Sequence, residues 1–138
     1  MLKHYTIVML TSLGIAGLAA FAQTPASAAT ADVNQEIVTA AKHAQLAGNS
    51  ENIDAVHVHL HHALNCIEGP KGANFDPKQM NPCKGMGDGA IPDSTDMKVK
   101  AELEAAAKEA QAGVAEADLA KAQRHARDTE VMLNRIGK

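Results

Sequence analysis

Four of the chain's seven histidines fall within six residues, His57–Val58–His59–Leu60–His61–His62. A neutral imidazole offers a nitrogen lone pair near physiological pH and suits first-row transition metals such as copper, nickel and zinc. On a helix, side chains three or four residues apart have Cβ atoms about 5–6 Å apart, so two rings can converge on an ion at about 2.0–2.1 Å. The run therefore contains two chelating pairs, His57/His61 at i, i+4 and His59/His62 at i, i+3. Two imidazoles fill only half of a tetrahedral shell, and other ligands must come from elsewhere. A hairpin turning near Asn49–Ser50 sets His43 level with His57 and makes it the expected third ligand, while His125 is a candidate on the opposite flank. Glu36, Asp54, Glu109 and Asp118 are candidate carboxylate supplements. Histidine is a middling helix former and protonated pairs at i, i+4 repel, so four together are not explained by folding. Metal binding is the expected use, and sensing of pH is the alternative.

The elements that must position these rings are helices. Asp32 can cap a first helix running to about Ala47, with Val33, Ile37, Ala40, Ala41 and Ala44 on one stripe and Gly48–Asn49 ending it. Ser50 is the expected cap of a second helix, which carries Ile53, Val56, Leu60, Leu64 and Ile67 until Gly69–Pro70. A third helix takes Val99, Leu103, Ala106 and Ala110 up to Gly113, and a fourth takes Leu119, Ala122, Ala126, Leu133 and Ile136. Nothing alternates with period two over a useful length, so no strand is expected. An offset of 66 residues places Ala41–Gln45 on Ala107–Gln111 and His59 on His125, as an internal duplication would. Two helical hairpins that each expose an apolar stripe must cover one another, so the expected fold is all-α, a four-helix bundle of two antiparallel hairpins (29–68 and 96–138). So many core alanines imply close helix approach and a thin core, for which a disulfide, a metal or a homodimer would compensate.

Between the hairpins, the segment 69–95 holds four of the five prolines and five of the ten glycines. Cys66 and Cys83 are the only cysteines, and in an exported chain they are expected to form a disulfide that pins this long crossover loop. Paired thiolate ligands are the alternative, disfavoured by the lack of CxxC spacing. Asp76, Asp88, Asp93 and Asp96 do not have the spacing of an EF-hand, and Met80, Met86 and Met97 could offer thioethers to Cu(I) but are better read as packing residues. The stretch Asn81–Asp93 looks like a signature without an assignable chemistry.

The N-terminus has the form of an export signal. A basic start at Lys3 precedes an apolar run through Ile7–Leu10, Ile15, Leu18 and Phe21, then Ala26–Ser27–Ala28, and cleavage is expected after Ala28, with Ala22 as the alternative. The run is too short for a stable membrane anchor and no cysteine follows it for lipidation, so the mature protein is expected in the periplasm or secreted. The whole chain of 138 residues has a formal charge of −3 and 2% aromatic residues, with no Trp. It lacks the basic footprint and stacking surfaces that nucleic-acid binding needs. No HExxH or Ser/His/Asp pattern suggests an enzyme. A bis-histidine haem bundle is a further alternative, without a CxxCH to attach the haem.

Ala41–Lys42–His43–Ala44, the turn at Gly48, and Val58–His59–Leu60 leading into Ala63–Leu64 resemble the helical hairpin of the small metal-binding proteins, periplasmic His-rich four-helix bundles. The resemblance covers residues 33–67 and, more faintly, 99–135. It implies uptake of divalent transition metals such as copper and nickel, with His43, His59 and His62 as the family-like helix histidines. This chain has far fewer histidines, which favours one or two defined sites over a many-site sponge.

Overall fold

The structure, a computed structural model, describes residues 31–138. The expected export signal, residues 1–28, lies outside the described residues. The described chain is all-α, with no strand among the described residues. Four long helices, α1 (Val33–Gly48), α2 (Ile53–Glu68), α4 (Met97–Ala115) and α5 (Leu119–Ile136), are joined by short turns and one long loop that contains the single turn α3 (Ala90–Asp93).

Side-chain caps fix where the long helices begin. The carboxylates of Asp32, Asp96 and Asp118 accept from the first free N–H groups of α1, α4 and α5. For α2 the cap is Asn52, whose side chain accepts from Ala55 N at 2.9 Å, and not Ser50 as the sequence suggested. The Ser50 hydroxyl instead donates back to Leu46 O at 2.8 Å, closing the end of α1. Gly113 also departs from expectation, because it is buried inside α4 rather than ending the helix. A Cβ there would lie 2.6 Å from Leu60 Cδ1 and 3.0 Å from His125 Cβ, so glycine is required by close packing of three helices.

α1 packs against α2 and α5, and α4 packs against α5 and α2. The contacts between α1 and α5 are antiparallel: Arg127 Nη1 donates to Gly48 O at 3.0 Å near one end, and Gly137 lies against Ile37 at the other. α2 and α4 are likewise antiparallel, with His57 beside Glu116 and Glu68 beside Gln111. Leu60, Leu64, Ile67, Leu103 and Leu133 are buried at the centre among alanines of all four helices. Each buried leucine contributes on the order of 1.5–3 kcal/mol and each alanine much less, so the core is thin in the way its composition implies.

Because α2 and α4 run in opposite directions, α2 ends where α4 starts, and the segment between them has no reason to cross the molecule. It folds over the end where α1 begins: Asp32 N donates to Met86 O at 2.9 Å, and Cys83 is disulfide-bonded to Cys66 in the last turn of α2, with Cα atoms 5.2 Å apart. Asn65 completes the attachment from within α2. Fully buried, it donates from Nδ2 to the carbonyls of Asp76 and Met80 and accepts from Asp76 N at 2.9 Å. Gly69 and Gly89 touch back to back, where a Cβ on Gly69 would fall 1.6 Å from Asp88 O.

Candidate metal centre

The seam between α1 and α2 is where three imidazoles meet. His43 comes from α1 and His59 and His62 from successive turns of α2, and one ring nitrogen of each lies within 4.8 Å of the other two. The ring centroids are 5.1 Å apart for His43 and His62, 5.6 Å for His59 and His62, and 5.7 Å for His43 and His59. The i, i+3 spacing on α2 sets two of the rings on one side, and the helix opposite supplies the third. An ion in tetrahedral coordination needs nitrogens about 3.4 Å apart, a closure that small ring rotations provide.

The electrostatics keep these rings ready as ligands. Burial, reinforced by the neighbouring His62 and His59, pushes the His43 pKa down to about 4. Burial likewise lowers that of His62, with His59 and His61 adding to the effect. Both rings are therefore neutral at physiological pH, the form that binds a metal. The Nδ1 atoms of His43, His59 and His62 are buried and have no hydrogen-bond partner in the protein. Buried polar atoms are nearly always paired, so an unpaired Nδ1 on each of three neighbouring rings, which His61 outside the group also has, fits a ligand role better than a packed core.

The other candidates are placed elsewhere. His57 donates from Nε2 to the carbonyl oxygen of Glu116 at 2.8 Å, tying α2 to the turn between α4 and α5. His61 faces a cavity of about 380 Å³ with Leu64, Phe75, Asp76 and Val114, so His57 and His61 do not form part of the three-ring group. His125 donates from Nδ1 to Glu109 Oε1 at 2.6 Å and is occupied by that contact. Asp54 is exposed on α2, Asp118 caps α5, and Glu36 is buried against the long loop, so none of the four carboxylates joins the imidazoles.

His43 meets His59 rather than the expected His57 because α2 starts at Ile53, capped by Asn52. A longer turn moves the position level with His43 about half a turn further along α2. Met80 and Met97 are exposed and Met86 packs against the core beside Thr39, so the three thioethers do not assemble. Asn65 was not singled out from the sequence, and an asparagine in the last turn of an otherwise apolar stripe was the available signal. Among the described residues, no helix is long and apolar enough to cross a membrane. Comparison of the chain with protein-family models, characterised proteins and solved structures found no match.

Proposed function

We propose that this is an exported transition-metal-binding protein, a four-helix bundle that holds one divalent ion as cargo through His43, His59 and His62 and acts as a carrier or buffer. The observation that carries this reading is the convergence of three imidazoles, His62 buried and His43 and His59 half-buried, whose Nδ1 atoms lack partners. An all-imidazole set with no carboxylate suits copper, nickel or zinc and leaves a coordination position for water or for a delivery partner's ligand. Raw affinity should be highest for Cu(II). The rings that face one another do not suit a haem, since a bis-histidine haem needs its two imidazoles on opposite faces of a macrocycle. Here the three ring centroids form a nearly equilateral triangle with sides of 5.1, 5.6 and 5.7 Å.

Elemental analysis and an ultraviolet–visible spectrum of the purified protein, beside His43→Ala/His59→Ala/His62→Ala and His57→Ala/His61→Ala variants, test the reading. A stoichiometric metal retained by the second variant and lost by the first is expected. Equal retention by both variants, or no binding of Cu(II), Ni(II) or Zn(II) by the parent protein, would overturn it.

A further inference from the structure

A second group of ligand-type side chains lies at the start of α1, about two helical turns from His43. Glu36 is completely buried, at 0% exposure. Its Oε1 accepts from Gly89 N at 3.2 Å, and its Oε2 has no hydrogen-bond partner in the protein. Across Gly87 lies a second carboxylate, Asp93. A Cβ on Gly87 would fall 2.0 Å from Asp93 Oδ2 and 3.0 Å from Glu36 Oε1, so a glycine at 87 leaves open the space that both acids border. Asp93 Oδ2 accepts from Asp88 N at 2.7 Å, which fixes its position in the loop. Among the described residues, neither acid has a Lys or Arg partner, and the nearby Lys71 pairs with Asp88 instead.

Two carboxylates held close together repel, and the buried, unpaired carboxylate oxygen of Glu36 is expensive. A positive charge between them would remove both penalties. We propose that Glu36 and Asp93 are the carboxylate ligands of a hard divalent cation, calcium, which fastens the Gly85–Gly89 stretch to the start of α1. The side-chain donors are all oxygen. Calcium accepts six to eight such ligands in irregular geometry, whereas magnesium demands a strict octahedron and copper or zinc would prefer the imidazoles. The acids of the loop do not have EF-hand spacing because the deciding ligand, Glu36, comes from α1, some fifty residues earlier in the chain.

Calcium titration of the full chain by calorimetry, with thermal unfolding followed in parallel, tests this site separately from the imidazoles, which do not bind calcium appreciably. One calcium per chain and a rise in Tm of about 5 °C at millimolar calcium are expected. Asp93→Asn, which keeps an oxygen for the Asp88 N–H, should weaken binding at least about tenfold, as should Glu36→Gln. The His43→Ala/His59→Ala/His62→Ala variant should bind calcium as the parent does. Absence of heat and of any Tm shift up to about 10 mM calcium would overturn the proposal, as would calcium binding that Asp93→Asn leaves unchanged.

Discussion

His125 Nδ1 lies 2.6 Å from Glu109 Oε1, at positions that correspond, 66 residues on, to those of His59 and His43 in the first hairpin. Each hairpin thus places a histidine of its second helix against a side chain of its first at the same level. In the first hairpin that side chain is an imidazole, and a third imidazole, His62, joins it. In the second it is a carboxylate that accepts the His125 N–H, and Asp128 stands where His62 would be. One half of the molecule therefore presents free nitrogens and the other a satisfied contact between α4 and α5.

That asymmetry sets the expected effect of single substitutions on metal affinity. His62→Ala should weaken Cu(II) or Zn(II) binding by at least about 10–100-fold, the loss produced even by removing a residue that only hydrogen-bonds to a ligand. His125→Ala should leave affinity within about twofold of the parent, because that ring is engaged with Glu109. Competition titration against a chelator of known affinity measures both.

His57 is expected to contribute to stability rather than to binding. His57→Ala removes the hydrogen bond to the Glu116 carbonyl that links α2 to the α4–α5 turn. The cost should be about 0.5–1.5 kcal/mol in urea unfolding, with metal affinity unchanged.

Gly113→Ala is a test of packing. Alanine would improve helix propensity by about 1 kcal/mol, but its methyl group meets Leu60 Cδ1 at 2.6 Å and His125 Cβ at 3.0 Å. Leu60 is buried and His125 Cβ belongs to a helix that cannot easily retreat. Overpacking costs about 1–3 kcal/mol, so a net loss of about 1 kcal/mol is expected by denaturant titration.

Two buried groups give opposite dependences of metal-free stability on pH. Glu36 has a folded pKa of about 7, above its ordinary 4.5, so the stability linked to its protonation is full below about 4.5 and is lost as pH rises through 7. His43 has a folded pKa of about 4, below its ordinary 6.5, so its share is present above 6.5 and is lost as pH falls through 4. Unfolding free energies of the apoprotein in chelator, measured from pH 4 to 8, should show the Glu36 component disappear in Glu36→Gln. They should show the His43 component disappear in His43→Ala.

The disulfide should matter to the loop more than to the candidate metal centre. Its two cysteines are separated by 17 residues, and replacing both with alanine should cost about 3 kcal/mol. Hydrogen exchange in residues 74–89 should quicken most, since that stretch would then be held only by hydrogen bonds such as those of Asn65, Asp32 with Met86 and Gly89 with Glu36.

The sequence by itself determined the helical class, the start of α1 at its Asp32 cap, the stripes that face inward, and the presence of a histidine cluster on α2. Those features are local, since apolar spacing and capping chemistry act within a few residues of chain. Which histidines meet was decided only by the tertiary structure. His59 and His62 are joined by His43 because the turn capped by Asn52 sets the register between α1 and α2, and one residue of difference in that turn rotates the facing position by about 100°. The occupation of His57 by a distant carbonyl, the requirement for glycine at position 113, and the meeting of Glu36 with Asp93 likewise depend on segments brought together from far along the chain. No local pattern encodes such contacts, because their energy appears only when the helices have packed.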